Sequence, residues 1–492
     1  MKAPDPWPKP ARFDRNLVVI GAGAAGLTAA YIAATLKARV TLVEKDRMGG
    51  DCLYTGCVPS KSLIRTARLL SDIRRARAFG IAEASARFDF AEVMERVQRV
   101  IRQIEPHDSA QRFEDMGVEC LRGEATLASP HVVEVRTEGG MRTLATRAIV
   151  LATGATPALP TIEGIDAMNA LTSETLWSLR RLPGRLLVLG GGPVGCELAQ
   201  CFARFGSQVT LLESGTRLLS REDPEFSELV RARFVAEGID VRLAHEARHF
   251  LTTNGARSVL ARHAGGEVQI PFDTLLCALG RVPNTAGYGI EALGLRTSES
   301  GTLKTDAYMQ TSHSSIYACG DVAGPYQFTH AASQQAWYAT VNALFGRLRR
   351  FRPDDTPMPW TTFTDPEVAR VGLNQTEAEE KGTAFETTRY CLAELDRAIT
   401  DEAGEGLVKV LTTPGRDDIL GVTIAGERAG ELIAEFVAAI KNGIGLNGIL
   451  GTVHVYPTFV EANRYAAAEW RQAHLPSWAL SLMQRYHRWQ LG

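Results

Sequence analysis

Leu17-Val18-Val19-Ile20-Gly21-Ala22-Gly23-Ala24-Ala25-Gly26 decides the fold of this chain. An apolar run of strand length enters glycines spaced G-x-G-x-x-G. An Ala/Leu-rich helical stretch follows to about Leu36, and Val40-Thr41-Leu42-Val43 ends at Glu44. The order is strand, helix, strand. In such a unit the glycines let backbone approach a pyrophosphate, the helix N-terminus offers N–H donors and positive potential, and the acid accepts from ribose hydroxyls. Gly21, Gly23, Gly26 and Glu44 are therefore candidates for one dinucleotide site.

The pattern recurs. Leu186 to Leu189 enters Gly190-Gly191-Gly192-Pro193-Val194-Gly195, a helix runs through about Phe205, and Val209 to Leu212 ends at Glu213. From last glycine to acid the interval is 18 residues in both copies, near the ~20 such units show. One glycine fingerprint alone also serves plain packing; two in register point to two dinucleotide sites, the second made by Gly190, Gly192, Gly195 and Glu213. Two further strand-to-glycine junctions, Ile149 to Gly154 and Ser315 to Asp321, have the form of ligand turns and contribute Thr153, Gly154 and Asp321.

At 492 residues the chain is long enough for about three domains. Its 45% hydrophobic and 22% charged residues are those of a globular protein, and a net charge of -2 offers no basic field for nucleic acid. Residues 1–15 lack the apolar centre of a signal peptide, and no apolar run reaches the ~20 residues of a membrane span. The expected location is the cytoplasm. Eight cysteines are too few and scattered for a disulfide scaffold, which leaves Cys52 and Cys57 as the one close pair. The remaining six read as inert, and no spacing suggests a metal site.

That pair lies in Gly49-Gly50-Asp51-Cys52-Leu53-Tyr54-Thr55-Gly56-Cys57-Val58-Pro59-Ser60-Lys61, directly after the first strand-helix-strand unit. With the two fingerprints it resembles the flavoprotein disulfide reductase family, which includes lipoamide dehydrogenase, glutathione reductase and mercuric reductase; the resemblance extends to about Trp470. It implies an α/β fold of two Rossmann-like domains and a C-terminal α+β dimerisation domain. The boundaries expected are 12–157 and 285–355 for an FAD domain, 158–284 for an NAD(P) domain, 356–470 for dimerisation and 471–492 for an extension. It further implies that Gly21, Gly23, Gly26, Glu44, Thr153, Gly154 and Asp321 hold FAD. Cys57 becomes the flavin-facing thiolate, Cys52 the interchange thiol, and Lys61 a residue by the flavin paired with Glu197. A fixed cation there would stabilise negative charge on reduced flavin. Glu213 favours NADH over NADPH, because a carboxylate repels a 2′-phosphate, although Arg217 and Arg221 just downstream could accommodate one.

One residue departs from the family. In His454-Val455-Tyr456-Pro457-Thr458-Phe459-Val460-Glu461 the resemblance places Tyr456 where the acid/base histidine stands, with Glu461 matching that histidine's glutamate, in a segment that reaches the other subunit of a homodimer. An imidazole near pKa ~6.5 shuttles protons at neutral pH; a phenol near ~10 donates but seldom accepts. Mercuric reductases also have tyrosine here, and Leu219-Ser220-Arg221-Glu222-Asp223-Pro224 resembles that branch. Their C-terminal cysteine pair has no counterpart, since the last cysteine is Cys391. His454, two residues before Tyr456, is a secondary acid/base candidate, with a structural role expected.

The function expected is electron transfer from NADH through FAD to the Cys52/Cys57 disulfide and on to a small disulfide or lipoyl-type acceptor. Alternatives are a thiophilic metal ion or quinone-type acceptor, a subunit of a larger complex, or a redox sensor. In the extension, Trp478, Leu482, Tyr486 and Trp489 form an apolar stripe beside Arg485 and Arg488. A helix packed on its own protein or dimer mate is expected there; the alternative is a peripheral membrane or protein contact.

Overall fold

Val18 and Val19 have no exposed surface, because Arg15–Ile20 (β1) lies between two parallel neighbours in a seven-stranded sheet. The computed structural model describes residues 7–353 and 357–492, which divide into two compact units. The first is formed by residues 7–66, 88–183 and 274–353. After β1 come Ala24–Thr35 (α1) and Val40–Glu44 (β2). Strand β2 pairs with β1 through Val18↔Thr41 and Val19↔Leu42, and Gly140–Leu151 pairs on the other side through Val19↔Val150 and Ile20↔Leu151. Ile316–Ala318 follows in parallel, Ala318 opposite Leu151. A run such as Leu17-Val18-Val19-Ile20, apolar at every position, is what a strand covered on both faces requires. Burying one such side chain contributes about 1.5–3 kcal/mol.

This register brings three sequence junctions to one edge. Gly21, Ala152-Thr153-Gly154 and Cys319-Gly320-Asp321 all leave the carboxyl ends of neighbouring parallel strands, the edge at which open α/β sheets bind ligands. Alanines make the covering helices fit closely: a Cβ on Gly320 would lie 3.2 Å from the Ala25 methyl and 3.4 Å from that of Ala332. At the opposite end of the sheet Glu119 ties strands together. It accepts from Arg15 Nη2 (2.5 Å), Thr41 Oγ1 (2.7 Å) and Arg142 Nη2 (3.1 Å).

The second unit contains residues 67–87, 184–273 and 357–492. Arg185–Leu189 (β3), Pro193–Phe205 (α2) and Gln208–Leu212 (β4) repeat the first motif, with Leu186↔Val209 and Val188↔Leu211 in parallel register. Strands 246–253, 256–263 and 266–272 form an antiparallel meander. The α+β region has five antiparallel strands in the spatial order 360–362, 367–372, 419–426, 407–412, 386–391. Its core packs Val371, Val408, Val422 and Ile424 against Phe436 and, from Glu461–Ala473 (α3), Ala466 and Trp470.

The stretch 219–224 serves this unit as a buried polar anchor. Lys409, itself buried, donates to Asp223 (2.9 Å), Glu225 (2.5 Å) and Gln375 (2.9 Å). Arg370 lies under the Trp360 ring at 4.2 Å and donates to Glu377 and to the Arg221 carbonyl, while the Trp360 indole donates to Glu222. Charges this deep persist only when paired.

The extension is helical over Ser477–Leu491 (α4), and none of its residues is buried. The expectation that it packs on its own protein is therefore corrected for the protomer. The reason is positional: α3 ends with Trp470 buried and the His474 ring stacked on it at 4.2 Å, after which Pro476 redirects the chain. Among the described residues, no helix is long and apolar enough to cross a membrane.

Burial pushes the Glu119 carboxyl up, but hydrogen bonds from Thr41, Arg15 and Arg142 outweigh it and bring it down to about 2. Its pairing therefore contributes stability above the ordinary carboxylate range and loses it as pH falls toward the folded value. Glu119→Gln should lower Tm by a few degrees at pH 7, a gap that closes between about pH 5 and pH 2 in calorimetric scans; a pH-independent gap would contradict this account.

Candidate functional site

Gly21 opens the first site with φ of +97°, and a Cβ there would lie 2.3 Å from the Ala152 carbonyl oxygen. Gly26 approaches more closely still: its Cβ would stand 1.7 Å from the Gly21 oxygen. Gly23 differs, since a Cβ there would meet only Gly50 Cα at 3.9 Å. Two glycines are thus demanded by packing, and the middle one keeps a cradle open at the N-terminus of α1. Glu44 supports the loop by accepting from Ala22 N–H (2.7 Å) and Asp46 N–H (2.9 Å). Thr153 Oγ1 donates to the Asn284 carbonyl (2.9 Å), and the Asn284 amide returns a bond to the Thr153 carbonyl (2.9 Å).

The second fingerprint has the same wiring. Gly190 has φ of +102°, Glu213 accepts from Gly191 N–H (2.6 Å) and Gly215 N–H (2.6 Å), and a Cβ on Gly192 would meet nothing within 4 Å. Gly195 lies buried in the first turn of α2. Glu197, two residues on, is buried and accepts from Phe363 N–H (2.9 Å). Arg217 donates to the Ser220 carbonyl (3.0 Å), and Arg221 is exposed.

The cysteine segment is docked on the first loop. Gly49 N–H donates to the Ala22 carbonyl (2.8 Å), and a Cβ on Gly50 would be 2.7 Å from Gly23 Cα. Gly50–Tyr54 forms a short helix carrying Cys52, and Cys57 opens the helix Cys57–Arg74. Lys61, one turn on, shares the face of Cys57 and is half-buried. Cys57 Sγ is 3.3 Å from Thr329 Oγ1, the first residue of helix Thr329–Phe345. Two helix N-termini therefore converge on one sulfur, and both favour negative charge there. Cys52 is opposite in character: its hydrogen bond with Cys57, then burial, then the charge of Cys57 hold its thiol far above the usual range. Of the other cysteines, burial raises Cys277 to about 11 and Cys319 to about 12, as inert thiols require.

Arg281 is a site residue that the sequence reading passed over. It pairs with Asp51, beside Cys52, donates to the Ala155 carbonyl, and directs Nε toward Asp321 Oδ2 at 3.3 Å. Burial raises the Asp321 carboxyl, and Arg281 opposes that shift. Arg281 Nε is buried without a well-aligned acceptor, which leaves donor capacity at the strand edge. With the open cradle at Gly23, the half-buried acids and this unsatisfied donor, the residues fit a dinucleotide. The signal was available: Leu275 to Gly280 is another apolar run ending in glycine, and Arg281 follows it. Thr329 and Trp177, whose indole donates to the Thr55 carbonyl (3.0 Å), carried no such signal.

In the dimerisation region Tyr456 is 65% exposed and donates to Asp396 Oδ2 (3.0 Å). That bond, then the charge of Asp396, raises the phenol above its ordinary value. Glu461 is buried at the start of α3 and accepts from Thr458 N–H (3.1 Å), so its bond is to backbone. His454 is held between Glu435 Oε1 (2.8 Å) and the Thr452 carbonyl (3.0 Å), in keeping with a structural role.

Comparison with known proteins agrees with this geometry. Residues 15–336 match the pyridine nucleotide-disulphide oxidoreductase family, and residues 358–467 its dimerisation domain. The chain is 36% identical over 457 residues to a mercuric reductase of Streptomyces lividans, covering 92% of this chain and 95% of that one. It is 31% identical over 460 residues to a dihydrolipoyl dehydrogenase of Staphylococcus aureus, covering 92% and 96%. Among solved structures, a Cu(II) complex of the HOCl-induced flavoprotein disulfide reductase RclA from Escherichia coli superposes with a TM-score of 0.82 at 27% identity, covering 92% and 99%. The chain belongs to the pyridine nucleotide-disulphide oxidoreductase family: it is an FAD- and NAD(P)H-dependent oxidoreductase that forms a homodimer through its C-terminal domain.

Proposed function

We propose that this chain carries electrons from NADH to the Cys52/Cys57 pair and on to a small disulfide or lipoyl-type acceptor. The observation that carries this reading is the asymmetry of the pair: Cys52 is held protonated by its bond to Cys57, and Cys57 sits where two helix N-termini meet. FAD, when bound, supplies the two-electron relay between nicotinamide and cysteines. Gly21, Gly23, Gly26, Glu44, Thr153, Gly154 and Asp321 would hold it, with Arg281 completing the donor set. Gly190, Gly192, Gly195 and Glu213 would hold the nicotinamide nucleotide, and the Lys61 cation would balance charge on the flavin.

In the exchange itself, Cys52 passes its proton to its hydrogen-bond partner Cys57 and, as thiolate, attacks one sulfur of the acceptor and expels the other. Cys57 then attacks Cys52, releases the second acceptor thiol and restores the protein disulfide. Two protons leave with the acceptor, one from the cysteine pair and one through Tyr456 of the other subunit, which regains it from water. Replacing Cys52 by Ser should lower NADH-dependent turnover of disulfide acceptors by about a hundredfold or more. Turnover left intact would mean that acceptors are reduced at the flavin.

A second reading, a thiophilic metal ion as acceptor, is favoured by one contact. The Tyr456 hydroxyl donates to Asp396, which raises its phenol, so Tyr456 itself offers no base at neutral pH, and a metal ion needs a thiolate ligand more than a proton shuttle. The mercuric reductase relatives and the Cu(II) complex of RclA support this reading. Tyr456→His separates the two. It should raise disulfide turnover about tenfold or more, with a new dependence on pH near ~6.5, and leave metal-ion reduction no faster. An unchanged disulfide rate would remove Tyr456 from the active site.

Glu213 answers backbone on both oxygens, and Arg217 turns to the Ser220 carbonyl. NADH should therefore exceed NADPH in kcat/KM by about tenfold or more, and Glu213→Gln should narrow that ratio.

A further inference from the structure

Helix α4 is the one helix of this length that buries nothing among the described residues, and neither the fold nor the electron path uses it. We propose that it binds an anionic phospholipid surface, lying along it rather than crossing it. Its 15 residues extend about 22 Å, short of the ~20 residues a bilayer span needs. Trp478, Leu482, Tyr486 and Trp489 occupy one side at helical spacing, Trp478 being 70% and Trp489 77% exposed. Tyr486 and Trp489 stand 6.1 Å apart as an aromatic pair at the outer end. Arg485, Ser481 and Arg488 lie on one flank, and Gln484 and His487 on the far side beside Leu480 and Leu491. Tryptophan and tyrosine are the side chains that settle at the lipid headgroup level, and flanking arginines answer its phosphates.

Charge decides between a lipid surface and a second copy of this chain. Residues 470–492 contain Arg471, Arg485 and Arg488 and no Asp or Glu, although the whole chain is net negative. Two such helices face to face would bring arginines together with no Asp or Glu in either segment to answer them. An anionic headgroup layer answers all of them. The helix is also offered from a fixed root, because His474 is stacked on buried Trp470 and its Nε2 meets Glu386 Oε2 at 2.8 Å.

The test uses the full-length FAD-loaded enzyme with sedimentable vesicles of phosphatidylcholine alone or mixed with phosphatidylglycerol. Binding should be at least about tenfold stronger to the mixed vesicles and weaken in high salt. The pair Trp478→Ser/Trp489→Ser should reduce it about tenfold, and Arg485→Gln/Arg488→Gln should remove the lipid-charge and salt dependence, with NADH oxidation by a soluble acceptor unchanged in both. No binding to the mixed vesicles, or binding indifferent to both variants, overturns the proposal. So does a fall in oligomeric mass of the tryptophan variant by analytical ultracentrifugation, which would give the helix face to a second copy.

Discussion

No methyl group fits between Gly26 and the Gly21 carbonyl, nor between Gly21 and the Ala152 carbonyl. Because α1, β1 and the strand ending at Leu151 touch through backbone alone at these points, the loop between them is drawn tight over the strand ends. The helix N-terminus then faces outward where the strands stop. Gly49 and Gly50 dock on the same loop through the Ala22 carbonyl and Gly23 Cα. Cys52 and Cys57 are thus positioned by the first glycine loop itself. A side chain at Gly21 or Gly26 would push the sheet, the loop and α1 apart, and one at Gly50 would lift the cysteine segment off the loop.

The two thiols then acquire different chemistry from their backbone surroundings. Cys57 begins one helix and stands at the beginning of another, so partial positive charge from unpaired N–H groups converges on its sulfur. Cys52, five residues earlier in a short helix, has its thiol raised by the hydrogen bond to Cys57, by burial and by the charge of that neighbour. Arg281 links this segment to the strand edge by reaching Asp51 on one side and Asp321 on the other.

The candidate site was legible where local geometry demands particular residues. Both fingerprints, their acids at equal intervals, and the strand-glycine junctions at Thr153 and Asp321 could be read because a glycine at positive φ or in backbone contact tolerates nothing else. Arg281 obeys the same rule and was overlooked. Thr329, Asp396 and Glu435 were not legible: each meets its partner, Cys57, Tyr456 or His454, across a separation in sequence that no spacing encodes. The stretch 219–224 shows the opposite case. Its letters mark a branch of the family, while its structural work is to hold Arg370, Lys409 and Trp360 in a buried polar network.

By itself the sequence determined the elements and their order, the doubled dinucleotide motif, the cysteine pair and the amphipathic pattern of residues 478–489. All of these are written in periodicity and in residues with narrow backbone tolerance. Tertiary structure decided which strand ends share an edge, which cysteine stands where two helices begin, what Tyr456 and His454 bond to, and that α4 is uncovered in the protomer. Those outcomes depend on register and on contacts between segments far apart in the chain, where burial and electrostatics act through distances that sequence spacing does not carry.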